Sequence, residues 1–327
     1  MTPSDLLQLS GGYWSACALH AAVKLDVFTH LSPGNLTAME ISCLTGCDER
    51  AMMMLFNALA ALELLRKTGD TYCATPFSAE YLSKKSDKYI GHIIMHHHHL
   101  MSGWNRLDEA VKSGEPVRAS SSHSDDETAR ESFLMGMFNM ASMSAPLIVP
   151  KIDLSGRTRL LDLGGGPGTY SIHFCKHNPE LNAFIFDRPT TRFFAEQTLE
   201  RFKLSDRITF LSGDIITDDI GSGYDVVWIS QLLHSEGPGG AAIMLRKAVK
   251  ALLPGGLLLI QEFMLDDNHA SPPFPALFSL NMLIGTAAGQ SYSEGELAEM
   301  MREAGLKDIK RLELELPNCA GIMSGVV

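Results

Sequence analysis

The chain has 327 residues, about twice the ~150 of a typical domain, so two domains are expected. Either half is long enough to bury a core without a disulfide or metal staple. It is 45% hydrophobic and 20% charged, which excludes a disordered or low-complexity chain. With 27 Lys+Arg against 38 Asp+Glu the net charge is −11, and neither half has a basic excess. Sequence-independent binding of nucleic acid needs a basic face, so the expected partner is a neutral or weakly charged small molecule.

The opening MTPSDLLQLSGGYW has neither a basic start nor a long apolar core, so it does not read as a signal peptide. From Leu9 to Leu82 the texture is helical, with apolar residues three and four apart in YWSACALHAAVKLDVFTHL. Asn35-Leu36-Thr37 leads into a capped short helix, AMEISCLTG, and Cys47-Asp48-Glu49-Arg50 opens a second, AMMMLFNALAALELL. LLRKTGDTYCAT then alternates and turns at Gly69-Asp70, a hairpin signal. Two helices followed by a hairpin form a winged-helix pattern. Without a basic recognition helix its expected role is dimerisation and covering of substrate rather than DNA binding.

Residues 88–150 read as helices, broken by the small polar segment 119–126, an expected exposed loop. The first carries His92 and His96-His97-His98-His99; on a helix His92, His96 and His99 share a face. Two histidines four apart can bind a transition metal. No acid or cysteine stands among them, which weighs against a metal site and leaves a polar helix face or a pocket lining as the other readings. The second, RESFLMGMFNMASM, is apolar almost all round and rich in methionine, mostly core filler.

From Arg157 onward short apolar runs alternate with helices. TRLLDL, NAFIFD, RITFLSG, YDVVWIS and GLLLIQEF read as strands. The helices are GTYSIHFCKHNP, TTRFFAEQTLERF, AAIMLRKAVKALL (ended by Pro254-Gly255-Gly256) and SEGELAEMMREAG. IKRLELEL and AGIMSGVV close the chain as strands. Such alternation implies a mostly parallel, doubly wound sheet. The longest stretch without a charged residue, Asn268 to Ser293, holds three prolines and two glycines and reads as buried loop and helix, not a membrane span. The six cysteines are scattered, which suits reduced thiols in a cytoplasmic enzyme.

Three acids mark a ligand site. The first strand runs into Asp162-Leu163-Gly164-Gly165-Gly166-Pro167-Gly168, where Gly164, Gly166 and Gly168 permit a tight turn and close backbone approach. The spacing is not the G-x-G-x-x-G of a dinucleotide site. Asp187 closes the second strand, where an acid can accept both hydroxyls of a ribose. Asp214 follows the third, where a carboxylate can accept from an adenine amino group. All three belong to the C-terminal edge of the sheet, where open α/β folds bind ligands.

With these residues in place the chain resembles the class I S-adenosylmethionine-dependent methyltransferases, and among them the small-molecule O-methyltransferases of the caffeic acid and acetylserotonin type. LLDLGGGPG, FDRP, SGDII, SQLLHSE, LLPGGLLLIQEFML and LNMLIGTAAGQSYSEGELAEMMREAGL carry the resemblance in order, over nearly the whole chain. It implies an α/β fold: a Rossmann-like seven-stranded methyltransferase sheet with an antiparallel C-terminal strand, and an N-terminal α-helical winged-helix dimerisation domain. The expected division is 1–100 for dimerisation, 101–150 for linking helices of the acceptor pocket, and 151–327 for the catalytic domain. The implied cofactor is S-adenosylmethionine, yielding S-adenosylhomocysteine, held by Asp162, Gly164, Gly166, Gly168, Asp187, Arg188, Asp214, Ile215 and Ser230. The implied general base is His234, oriented by Glu262; imidazole as a residue type titrates near ~6.5, which suits it to take a hydroxyl proton. Transfer would be in line, with the reacting atoms held about 3 Å apart, and no metal is required.

For the acceptor, a small and mostly apolar, aromatic molecule, the resemblance implies His96, His99, Met137, Met140, Asn281 and Met282. Homodimerisation through the N-terminal domain is expected, with Tyr13 and Trp14 reaching across. Neither nucleic acid nor membrane is an expected partner. Two departures stand out. The Asp-Trp that usually follows the histidine is Ser235-Glu236 here, and the second orienting acid is Ser291. They leave open methyl transfer to carbon or nitrogen, and a non-catalytic, nucleoside-sensing winged-helix regulator is the remaining alternative.

Overall fold

The computed structural model describes residues 1–32, 34–119 and 126–327; the expected loop at 119–126 lies, but for its two ends, outside them. The chain forms two compact units: residues 1–101 with 127–139, and residues 102–126 with 140–327.

The first unit begins with α1 (Pro3–Gly11), α2 (Tyr13–Lys24) and α3 (Val27–Leu31). The periodic run YWSACALHAAVKLDVFTHL divides at Asp26, whose φ of +56° no helix continues. β1 (Leu36–Thr37) leads into α4 (Ala38–Thr45), started by a Thr37–Glu40 capping box and stopped by Gly46. α5 (Glu49–Ala61) is capped by Asp48 and buries Met52, Phe56 and Leu59, one stripe of the helix. β2 (Leu65–Thr68) and β3 (Thr71–Ala74) form the expected hairpin, and β1 pairs with β3, which completes a winged helix. α6 (Pro76–Tyr81) and the histidine-bearing α7 (Gly91–Trp104) follow. α1 buries none of its side chains, and Leu6, Leu7, Leu9, Tyr13 and Trp14 are exposed along α1 and α2.

Beyond α8 (Leu107–Ser113), α9 runs from Glu127 to Ile148. Among the described residues this segment alone is long and apolar enough to cross a membrane by length and composition. Leu134, Phe138, Ala145 and Ile148 nonetheless bury it in the fold.

The second unit holds β4 (Arg159–Leu163), α10 (Thr169–His177), β5 (Asn182–Asp187), α11 (Arg192–Arg201), β6 (Ile208–Ser212), β7 (Tyr224–Ser230), α12 (Pro238–Ala251), β8 (Leu252–Leu265), α13 (Pro273–Gly285), β9 (Tyr292–Ser293), α14 (Glu294–Glu303), β10 (Lys307–Arg311) and β11 (Ala320–Val326). The strand order is β10-β11-β8-β7-β4-β5-β6, with β9 added beside β8. β6, β5, β4, β7 and β8 are mutually parallel, and β11 returns antiparallel to β8. Successive side chains feed opposite cores, as burial of both faces requires. Leu160, Val226 and Trp228 enter the core under α10, while Leu161, Val227 and Ile229 enter the core under α12 and α14.

Two boundaries differ from the sequence reading. The strand pairing of β8 begins at Leu252, ahead of Pro254-Gly255-Gly256. Tyr224 pairs with Leu252 but Val226 with Leu257, so the Pro-Gly-Gly is a bulge with Gly255 at φ +76° rather than a helix end. β10 stops at Arg311, and Leu312, Leu314 and Leu316 pack on the core as irregular chain instead of extending the strand.

Candidate active site

The C-terminal edges of β4, β5, β6, β7 and β8 bring most of the singled-out residues to one side of the sheet. The loop after β4 turns through Gly164, Gly166 and Gly168 at φ +72°, +55° and +81°. A Cβ on Gly168 would lie 2.5 Å from Ile185 Cδ1 of β5 on a backbone at φ +81°, so a side chain there would be strained and would push Ile185 aside. Asp162 does not stand with the other two acids. It is 1% exposed beneath the loop, and its Oδ2 accepts from Ser171 N and Oγ at 3.3 and 2.7 Å. Burial pushes its carboxyl up to about 7.

Asp187 Oδ2 accepts from Gly166 N at 2.8 Å, and its Oδ1 accepts from Arg188 N and Thr191 Oγ1 at 2.6 and 3.2 Å. This ties the glycine loop to the end of β5; burial raises the Asp187 carboxyl. Asp214 begins the turn after β6. Its Oδ1 accepts from Ile216 N and Thr217 N, while Oδ2 faces Arg188 Nη2 at 3.6 Å. Oδ2 is thus the Asp214 oxygen that the turn itself does not engage.

These residues fit the cofactor the resemblance implies. A Cβ on Gly166 would meet nothing within 4 Å, which leaves open backbone beside Asp187. Among the backbone N–H groups from Asp214 to Asp218, that of Ile215 alone has no acceptor among the described residues. Ser230, at the end of β7, donates to Gln261 Oε1 at 3.0 Å, and the buried Tyr170 hydroxyl faces this pair and Ser144. Tyr170 is a residue the sequence did not flag; it stands two positions past Gly168.

His234 sits on a single 3-10 turn, Leu233–Ser235, beyond β7. Glu262, 1% exposed on β8, grips that turn. Its Oε1 accepts from Leu232 N and Leu233 N, both at 2.9 Å, and from His234 N at 3.4 Å, while Oε2 lies 2.7 Å from His234 Nδ1. One carboxylate thus caps the turn and orients the ring. Phe278 of α13 closes on the imidazole edge to face, centroids 4.7 Å apart; an aromatic in the late helix was the only sequence signal for it. Ser291 does not replace the missing second acid. Its hydroxyl donates to Pro275 O at 2.9 Å and its N–H to Ser279 Oγ at 3.0 Å, so it braces α13.

Asn281 and Met282 of α13 are buried, and Asn281 Oδ1 has no hydrogen-bond partner among the described residues. Met140 is half-buried on α9 in the same compact unit. His96, His99 and Met137 belong to the other unit, where His96 packs its ring on Phe133 at 5.2 Å. His98 meets His20 of α2 at 5.7 Å, and burial lowers the pKa of His20, His92, His97 and His98. Among the described residues no three His, Cys, Asp or Glu side chains form a cluster that could hold a metal ion.

A glycine turn tied to the acid at the end of β5 and a clamped histidine beyond β7, the strand that pairs with β4, stand in one unit of the chain. Comparison with known proteins gives the class. Residues 104–307 match the family model of the O-methyltransferase domain, and residues 7–84 that of the O-methyltransferase dimerisation domain. The chain is 30% identical to 3-hydroxy-5-methyl-1-naphthoate 3-O-methyltransferase of Streptomyces sahachiroi, over 99% of this chain and 95% of that one. It is also 30% identical to acetylserotonin O-methyltransferase of Gallus gallus, over 94% and 93%. An O-methyltransferase family protein from Burkholderia thailandensis superposes with a TM-score of 0.89 at 29% identity, covering 100% of this chain and 98% of that one. The chain belongs to the O-methyltransferase family. It is an enzyme of S-adenosylmethionine-dependent methyl transfer, with the α/β sheet and N-terminal dimerisation domain of that family.

Proposed function

We propose that the enzyme methylates a hydroxyl group of a small aromatic acceptor, with His234 as general base and Glu262 as the acid that orients it. The Glu262 clamp carries this reading. Because Oε2 of a buried carboxylate can only accept, the imidazole donates its Nδ1–H and presents Nε2 as the nitrogen with a free lone pair. Nε2 takes the acceptor's hydroxyl proton, and the charge that develops on the ring is countered by Glu262. When bound, the cofactor supplies a methyl group already activated on a sulfonium. Asp162, Gly164, Gly166, Gly168, Asp187, Arg188, Asp214, Ile215 and Ser230 are assigned to holding it, Asp162 by bracing the loop from below.

The acceptor reading rests on Phe278, Asn281, Met282 and Met140: an aromatic face, two thioethers and one unpaired amide oxygen, which suit a flat ring with a polar substituent. A bicyclic aromatic hydroxyacid is the substrate in the name of the naphthoate relative, and this class heads the acceptor screen. The family match over both halves of the chain gives no support to a regulator, and a clamped base favours hydroxyl over carbon or nitrogen. The exposed apolar side chains of α1 and α2, with the dimerisation match, support a homodimer. The six free cysteines support a cytoplasmic setting.

The test is His234→Ala, assayed with labelled cofactor against phenols, naphthols and hydroxynaphthoates. Turnover should fall by about 10²–10⁴ while cofactor affinity holds. Wild-type turnover in this variant would remove the general base from the mechanism. His96→Ala and His99→Ala, made singly, decide their place: unchanged acceptor affinity excludes both from substrate contact.

A further inference from the structure

The turn after β6 is stapled from within. Asp214 N donates to Asp218 Oδ2 and Asp218 N to Asp214 O, both at 2.8 Å. Ile216 N and Thr217 N donate to Asp214 Oδ1 at 2.8 and 3.3 Å. Lys247, half-buried on α12, adds a second fastening. Its ammonium donates to Ile215 O at 2.8 Å, to Ile216 O at 2.7 Å and to Asp218 O at 2.7 Å. An ammonium has three protons and no acceptor capacity, so the cation is spent entirely on three carbonyls of one turn. Charge-assisted bonds of this kind are about twice as strong as neutral ones. Without them three carbonyl dipoles would converge on a point with nothing to oppose their repulsion.

The fastening leaves two groups available side by side. The Ile215 N–H shares a trans peptide plane with Asp214 C=O, which accepts from Asp218 N, so the N–H points the opposite way. Asp214 Oδ2, the oxygen not used in the turn, is paired with Arg188 at 3.6 Å and with no other group among the described residues. A fixed N–H donor beside a fixed carboxylate acceptor complements a heterocycle edge that presents a ring nitrogen next to an amino group. The deaminated ring presents N–H and C=O at those positions and is mismatched at both.

We propose that Lys247 is a positioning residue that presets the 214–218 turn to read the amino-bearing edge of the cofactor's purine. The proposal rests on the assignment of Asp214 and Ile215 to the cofactor made above. Lys247 touches no ligand; it fixes the direction of the groups that do.

The experiment is calorimetric titration of the full-length protein with S-adenosylhomocysteine and with S-inosylhomocysteine, for wild type, Lys247→Met and Asp214→Ala. The wild type should prefer the adenosyl ligand. Lys247→Met should weaken adenosyl binding by about tenfold or more, the worth of lost charge-assisted bonds, and barely change inosyl binding, so the preference collapses. The preference is a ratio within one sample and does not depend on the fraction folded. In turnover the same variant should raise KM for S-adenosylmethionine while kcat at saturating cofactor stays close to wild type. If Lys247→Met keeps the wild-type preference while Asp214→Ala loses it, the turn reads the base but Lys247 does not set it, and the proposal fails. If the wild type binds both ligands equally, the assignment of Asp214 and Ile215 fails and takes the role of Lys247 with it.

Discussion

Replacing Glu262 by Gln is the sharpest perturbation of the site, because it keeps the shape of the side chain and changes one end. The amide oxygen can still accept from Leu232 N and Leu233 N, which leaves the NH₂ facing His234 Nδ1, 2.7 Å away in the native pair. An NH₂ there must donate, so the imidazole is driven to the tautomer that carries its proton on Nε2, the nitrogen that should be empty. The lost charge adds to this. Opposite unit charges about 4 Å apart at an effective dielectric near 20 interact by about 4 kcal/mol, close to three powers of ten in rate. Turnover of a hydroxyl acceptor with labelled cofactor should therefore drop on the order of 10³-fold, with the affinity for S-adenosylhomocysteine unchanged and the melting temperature close to wild type. A loss of less than about tenfold would show that Glu262 only caps the turn, and that the oriented-base argument is wrong.

Other outcomes follow from the same geometry. Asp162 keeps its proton in the folded chain up to about pH 7, whereas the unfolded carboxyl loses it near ~3.9. Stability should therefore fall as pH rises from about 4 to 7 and level off above, a total on the order of 4 kcal/mol. Asp162→Asn, which stays neutral and can still accept from Ser171, should flatten that slope in denaturant melts taken across the range; an unchanged slope would refute the assignment. His20, His92, His97 and His98 are shifted the other way, held below the usual histidine value chiefly by burial. The unfolded chain gains protons first, so the N-terminal unit should lose stability as pH falls below ~6.5. Hydrogen exchange of α2 and α7 at pH 5.5 against 7.5 reads this directly, and His20→Phe should reduce the difference. Gly168→Ala places a methyl 2.5 Å from Ile185 Cδ1 on a backbone at φ +81°; a loss of about 1–3 kcal/mol and of cofactor binding is expected by melting and calorimetry.

The sheet was legible because its strands are buried on both faces and read as apolar runs, and the motifs sit where strand ends must lie. The hairpin, the helices that start after Thr37 and Asp48 and the β7–His234 junction were legible for the same local reasons. What the sequence misjudged depends on long-range pairing. Pro254-Gly255-Gly256 has the chemistry of a helix stop, yet the register of β8 against β7 makes it a bulge. Asp162, Asp187 and Asp214 share a strand-end position, but Ser171, nine residues along on α10, turns Asp162 inward while the other two remain at the edge. Phe278, Tyr170 and Lys247 carry no motif, because what matters about each is a partner more than 25 residues away.

The missing second acid changes how His234 is held. In its absence His234 is fixed by one carboxylate and by backbone. On one side Glu262 takes three N–H groups and the ring nitrogen. On the other, Gln290 N donates to His234 O at 3.0 Å, and Gly289 lies so near that a Cβ there would be 2.5 Å from the same carbonyl. Gly237 likewise leaves no room for a side chain against Ala288. Backbone contacts set the height and tilt of the turn but cannot stabilise charge on the ring. With His234 as the proposed base, the electrostatic burden of proton transfer falls on Glu262, so its substitution should be felt in kcat more than that of any other residue that touches His234.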